Sequence, residues 1–169
     1  MLFQKSKREL PDISDDIIVA PAEGEMFDIC KVSDPVFAGK TMGDGVAFRY
    51  GGNKVDICAP ANGELSMIFP TGHAFGITMN SGVEILVHIG IETVEAKGRG
   101  FKIHKKCGSN VKAGEPIVTV KFDDLKKKYD MSTMLIITNT AEKNIVFSQN
   151  GTIPCLGKVA DILGKENRI

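Results

Sequence analysis

Long apolar runs, an excess of either charge and closely paired cysteines are all missing from this 169-residue chain. No segment approaches the ~18 consecutive apolar residues of a membrane-spanning helix, and no signal-type apolar stretch follows the charged start. Lysine plus arginine and aspartate plus glutamate both number 21, so the electrostatic footprint of a nucleic-acid or acidic-membrane binder is absent. The run Lys126-Lys127-Lys128, preceded by Asp123-Asp124, reads as a solvated helix face. Cys30, Cys58, Cys107 and Cys155 form no Cys-x-x-Cys pair, which leaves zinc-ribbon and dithiol motifs unsupported. Cys58 reads as a buried strand thiol, and the setting expected for such cysteines is a reduced cytoplasm. Helix signals are scarce too: the best short candidate is Asp123–Tyr129, with Asp123 as its N-cap.

What the chain does have is turn residues between short β-rich segments. Residues 1–15 are polar, contain Pro11 and read as a flexible tail ahead of one domain, 16–169. From Asp16 onward the candidate strands are Ile17–Ala20, Gly24–Ile29, Val46–Arg49, Asp56–Ala59, Gly63–Ile68, Phe75–Met79, Val83–Ile89, Phe101–Ile103, Pro116–Val120, Leu135–Thr138 and Gly151–Cys155. Gly, Pro, Asn and Asp punctuate them at the spacing of an all-β sandwich or barrel. An internal echo sharpens this: Val19-Ala20-Pro21-Ala22-Glu23-Gly24-Glu25 recurs as Cys58-Ala59-Pro60-Ala61-Asn62-Gly63-Glu64, offset by 39 residues. Each copy is a strand ended by proline, a turn and a return strand, so a duplicated half-motif of the biotinyl/lipoyl type is expected. No Met-Lys-Met carrier lysine is present, which excludes the acyl-carrier use of that architecture.

Histidine is rare: three occur, and two of them, His73 and His88, fall on the arms of one predicted hairpin. The turn cluster Asn80-Ser81-Gly82 separates Thr71–Met79 from Val83–Ile89. With Asn80-Ser81 as a two-residue loop, His73 and His88 are directly opposed and share a face. Thr71, two residues before His73, would place its hydroxyl near one imidazole. Gly90, two residues after His88, would offer a backbone carbonyl able to fix the His88 tautomer. Leu86 on the His88 face and Phe75 on the His73 face would make the surround apolar, favouring neutral rings. A neutral imidazole with one nitrogen held as donor presents the other as a nucleophile. His104 has no such company and is expected to be exposed. Zinc is the rival occupant, but two imidazoles need a third protein ligand, and Asp34, Glu84 and Glu92 are near in sequence only.

These residues resemble the glucose-type enzyme IIA of the bacterial phosphoenolpyruvate-dependent sugar phosphotransferase system. The resemblance is carried by Gly82-Val83-Glu84-Ile85-Leu86-Val87-His88-Ile89-Gly90-Ile91-Glu92-Thr93-Val94 and by Thr71-Gly72-His73-Ala74. Ile18–Pro21, Gly43-Asp44-Gly45-Val46 and Val111-Lys112-Ala113-Gly114 add to it. It implies that His88 accepts a phosphoryl group from the histidine-containing phosphocarrier protein and passes it to a cysteine of a sugar-specific IIB domain. His73 would stabilise phosphate charge, aided by Thr71. It also implies a shallow docking surface of Asp34, Val36, Phe37, Met42, Phe69, Leu86, Glu92 and Val94, with Phe37 and Phe69 expected as exposed anchors. Glu92 stands where many members have aspartate, and Thr41 where some have a branched apolar residue. No cofactor is expected to be required; zinc would enter only as an ion shared with a partner or crystal neighbour through His73 and His88. A free-standing cytoplasmic monomer that docks transiently at membrane-bound permeases is the expected form, with regulatory protein targets as further partners. The competing readings are a zinc-dependent peptidase-like protein and a purely regulatory binding module. The residues do not name the sugar.

Overall fold

A computed structural model describes residues 9–139 and 144–164. The fourteen strands among them are β1 (Ile17–Val19), β2 (Gly24–Asp28), β3 (Asp44–Arg49), β4 (Lys54–Cys58), β5 (Gly63–Ile68), β6 (Ala74–Met79), β7 (Glu84–Ile89), β8 (Phe101–Ile103), β9 (Asn110–Val111), β10 (Pro116–Lys121), β11 (Thr133–Ile137), β12 (Asn144–Phe147), β13 (Gly151–Ile153) and β14 (Lys158–Leu163). They form an eight-stranded antiparallel sheet in the order β13-β2-β3-β11-β7-β6-β5-β9 and two three-stranded sheets, β1-β14-β12 and β4-β10-β8. The all-β sandwich expected from the spacing is what forms. Strands β9, β12 and β14 lie outside the expected set.

The echo is a structural repeat. Val19 N–H donates to Pro60 O (2.8 Å) and Cys58 N–H to Pro21 O (2.9 Å), and these two bonds exchange under the 39-residue offset. Ala20 N–H to Gly157 O (2.8 Å) and Ala59 N–H to Glu115 O (2.8 Å) also correspond, the donors standing 39 residues apart and the acceptors 42. The pairs Gly24↔Ile153 and Gly63↔Val111 correspond at the same two offsets. Both prolines sit where the chain leaves a ladder, accepting through C=O with no N–H to satisfy.

Period-2 alternation sends the two faces of the large sheet to different places. Ile85, Val87 and Ile89 of β7, with Phe75, Ile77, Leu135 and Ile137, join Ile18, Ile57, Val118 and Ala160 of the small sheets in the main core. The opposite face carries Leu86, Ala74, Met134, Ile136, Phe27 and Ala47, covered by Ile29, Val32 and Phe37 in a second cluster. The cover is the segment 29–38: a 3₁₀ turn (Ile29–Lys31) and the short helix α1 (Pro35–Ala38). Asp34 caps α1 by accepting from Val36 N–H (2.8 Å), and Pro35 occupies the first turn, where its missing N–H costs nothing.

Two local expectations are corrected. The second helix, α2, is Phe122–Leu125, a single turn that starts after Lys121 without a side-chain cap. Asp123 therefore lies inside the first turn, where its carboxylate takes the Asp124 N–H (3.0 Å). His104 is exposed, but it is not alone: its Nε2 meets Thr119 Oγ1, whose hydroxyl donates to Asp56. The distal part of the expected tail, residues 1–8, lies outside the described residues, whereas Asn62 donates to Ile13 O (2.7 Å) and to Asp15 (3.1 Å).

Candidate functional site

The hairpin that carries the histidines closes differently from the two-residue loop. Met79 N–H donates to Val83 O (2.8 Å) and Gly82 N–H to Met79 O (2.9 Å), so Asn80-Ser81-Gly82 is a three-residue loop. Gly82 takes its left-handed position at φ +87°, the conformation such loops ask of their last residue. The ladder shifts by one, and His88 faces Ala74, not His73. The expected direct opposition is thus wrong, and Phe75 points into the main core.

The rings nevertheless meet. β6 begins at Ala74, so His73 belongs to the preceding turn and is released from the strand's alternation. Gly72 N–H to Phe69 O (2.8 Å) and Phe69 N–H to Ala74 O (3.0 Å) close that turn, and His73 O accepts from Ile89 N–H (2.7 Å). The imidazole of His73 then lies 5.2 Å from that of His88, centroid to centroid, at 79°. His73 is 4% exposed; His88 is half-buried.

Each ring has its Nδ1 engaged. His88 Nδ1 lies 2.8 Å from Gly90 O, and a carbonyl only accepts, so the ring proton sits on Nδ1 and the lone pair on Nε2. His73 Nδ1 lies 2.7 Å from Thr71 Oγ1. Burial, reinforced by repulsion from His73, pushes the His88 imidazole down to about 4, against the opposing pull of the Gly90 carbonyl and the Asp34 carboxylate. Burial also lowers His73. Both rings are accordingly neutral near pH 7.

Gly90 is the residue that makes this arrangement possible. Its φ is +78°, and a Cβ there would collide with the Thr93 methyl and come within 3.0 Å of Met131 Sδ. The turn that follows is tied down by Gly90 N–H to Ser132 O (3.0 Å) and by the Thr93 hydroxyl on Ile89 O.

Around the pair is an open cavity of about 630 Å³ lined by Phe37, Met42, Met67, Phe69, Leu86 and Glu84 among others. Phe37 packs on His88 (4.9 Å between centroids) and Phe69 on His73 (5.0 Å). Of the residues expected on the docking surface, Val36 (46%), Met42 (40%), Phe69 (42%) and Val94 (52%) are exposed apolar side chains. Glu92 is exposed and Asp34 half-buried. Phe37 and Leu86, each 7% exposed, are buried. Phe37 is therefore a wall of the His88 site that fills the second cluster, which corrects the expectation of an exposed anchor. Met67, 36% exposed, went unnoticed because a register shift between Leu65 and Met67 redirects it; no residue pattern announces that bulge.

Among the described residues, no group of three or more His, Cys, Asp or Glu could hold a metal ion, and none of their helices is long and apolar enough to cross a membrane.

The antiparallel β-sandwich is the fold of the IIA components of sugar phosphotransferase systems. The family model described as phosphoenolpyruvate-dependent sugar phosphotransferase system, EIIA 1, matches residues 16–143, and the chain belongs to that family of phosphotransferase components. It is 38% identical over 150 residues to the PTS system glucose-specific EIIA component of Halalkalibacterium halodurans, covering 88% of this chain and 84% of that protein. It is 35% identical to the glucose-specific EIICBA component of Staphylococcus carnosus over 88% of this chain, and 39% identical to the glucoside-specific one over 81%. The chain spans only about a fifth of those two longer relatives, 22% and 20%. Among solved structures, glucose permease IIA from Mycoplasma capricolum is similar at a TM-score of 0.80 and 37% identity, covering 85% of this chain and 93% of that one.

Proposed function

We propose that this chain is a cytoplasmic phosphocarrier of sugar uptake, in which His88 takes a phosphoryl group from the histidine-containing phosphocarrier protein and gives it to a cysteine of a sugar-specific IIB domain. The observation that carries this reading is the His88 ring, neutral, with Nδ1 tied to Gly90 O and Nε2 left as a lone pair beside His73. In the accepting step Nε2 attacks phosphorus, a new N–P bond forms, and the donor's N–P bond breaks with its electron pair returning to the donor imidazole. In the second step a cysteine thiolate attacks phosphorus and His88 departs as neutral imidazole.

Phosphoryl transfer asks mainly for position and for stabilisation of charge on the equatorial oxygens. Thr71 donating to His73 Nδ1 leaves the His73 proton on Nε2, where it serves as a donor to those oxygens. The exposed Val36, Met42, Phe69 and Val94, with Asp34 and Glu92, suit transient docking of both partners. The fused EIICBA relatives support a IIB partner, and their glucose and glucoside specificities point to such a sugar.

Incubation with phosphoenolpyruvate, the general carrier proteins and labelled phosphate tests the reading. Acid-labile label on wild type, none on His88→Gln, and label without onward transfer on His73→Gln are expected. Label retained by His88→Gln but lost from His73→Gln would reverse the roles. No label at all would favour a regulatory binding module.

A further inference from the structure

We propose that Asp130 is a positioning residue for His88, its single carboxylate fastening together two segments that wall the site. The proposal rests on the reading of His88 as phosphoryl acceptor, but its geometry stands independently.

One wall is the turn after β7. Asp130 Oδ1 accepts both the backbone N–H of Ser132 (2.9 Å) and the Ser132 hydroxyl (2.7 Å), which sets the shape of residues 130–132. That shaped turn grips the active-site turn by two backbone bonds, Ile91 N–H to Asp130 O (2.8 Å) and Gly90 N–H to Ser132 O (3.0 Å). Gly90 is the residue whose carbonyl accepts from His88 Nδ1. The other wall is the cover segment. Asp130 Oδ2 accepts the Ser33 hydroxyl (3.0 Å) across 97 residues of sequence. Ser33 directly precedes Asp34, the cap of α1, and α1 carries the Phe37 ring that packs on His88.

The carboxylate thus ties the segment that fixes the Gly90 carbonyl to the segment that brings the Phe37 ring onto the imidazole. Both set what His88 Nε2 does: the carbonyl keeps the proton on Nδ1, and the ring contributes to the burial that disfavours the imidazolium. The hydrogen bonds from Ser132 and Ser33 also outweigh desolvation and hold the Asp130 carboxyl below its ordinary range, so it is the charged acceptor that grips. Asp130 itself is exposed, and its removal opens no hole in either core cluster.

The variants are Asp130→Ala, Asp130→Asn and Ser33→Ala. Two readouts are needed: ¹⁵N chemical shifts of the His88 imidazole across pH, and the rate of phosphoryl acceptance at varied carrier concentration. Wild type is expected to show the Nδ1–H form with a midpoint near 4. In Asp130→Ala the Nε2–H form should become populated as the Gly90 carbonyl loses its hold on Nδ1, and kcat should fall about tenfold with KM little changed. Ser33→Ala, which loosens only the link to the Phe37 segment, should leave the tautomer in place and raise the His88 midpoint toward the ordinary histidine value. Asp130→Asn, whose amide oxygen still accepts from Ser132, should recover most of the wild-type behaviour.

An unchanged His88 midpoint and tautomer in folded Asp130→Ala would overturn the proposal. So would a loss confined to KM, which would make Asp130 a contact for the carrier. If wild type accepted no phosphate, the phosphocarrier reading would fail while the imidazole shifts still decided the role of Asp130. If Asp130→Ala did not fold, Ser33→Ala would carry the test, and an unshifted midpoint there would refute the link to the Phe37 wall.

Discussion

Acidification should cost this protein more stability than a variant lacking His88, and the difference can be worked out. An unfolded histidine titrates near ~6.5, whereas the folded-state imidazole of His88 is pushed down to about 4 by burial and by His73. Between those values the unfolded chain binds a proton that the native state refuses, so stability falls as pH drops through this window and levels off below it. At pH 7 the effect is nearly absent. At pH 4.5 the two titrations differ by about 2 kcal/mol, taken over that shift at about 1.4 kcal/mol per unit. The assay is urea unfolding of wild type and His88→Gln at pH 7 and pH 4.5. Carboxylates held low in the native state, such as Asp28 and Glu115, also lose stability in acid, but they are common to both proteins and cancel in the double difference. Wild type should lose about 2 kcal/mol more than the variant on acidification. Equal losses would show that His88 keeps an ordinary pKa when folded and would remove the argument for a neutral, dry nucleophile.

Gly90→Ala combines a left-handed φ with collisions at Thr93 and Met131, so a loss of about 2–4 kcal/mol in denaturant unfolding is expected, with slowed phosphoryl acceptance. Phe69→Lys, at a 42% exposed ring, should weaken carrier and IIB binding in titration calorimetry while leaving Tm within a few degrees. Phe37→Lys should instead destabilise by about 3 kcal/mol or more, because Phe37 is 7% exposed within the second cluster. Chelator treatment of the purified protein should change neither Tm nor the rate of phosphoryl acceptance. Stoichiometric zinc with activity lost on chelation would revive the metalloenzyme alternative.

The β architecture was legible because its signals are local. Alternation along β7 and turn residues between strands specify a sandwich whichever partner each strand takes. The Val19/Cys58 echo showed the duplication, since proline must fall where each copy leaves its ladder. The strands that escaped notice are those whose pattern is not apolar alternation. β9 is two residues long, and β12 reads Asn-Ile-Val-Phe with alternate residues facing solvent. β14 carries Lys158 and Asp161 as a surface ion pair (3.0 Å). Their membership is decided by partners far away in sequence, which no window reveals.

The site teaches a narrower lesson about register. Opposing His73 to His88 required a two-residue loop, and Gly82 made it three, a shift that by the pleat alone would have separated the rings. They converge because His73 precedes its strand and Ala74 opposite His88 is small, leaving room over that face for an imidazole arriving from the turn. Thr71 and Gly90 were found by counting two residues along extended arms, yet both act from turns, at 2.7 and 2.8 Å from the rings. The chemistry was readable from residue types placed close together. Its precision comes from turn geometry and from distant groups. The Ser33–Asp130 contact spans 97 residues, and the Phe37 ring arrives on a helix capped by Asp34. A pair of histidines in a sequence is a suggestion of nucleophilic chemistry; a carbonyl on one Nδ1, a hydroxyl on the other and a packed ring are what the proposed division into acceptor and donor rests on.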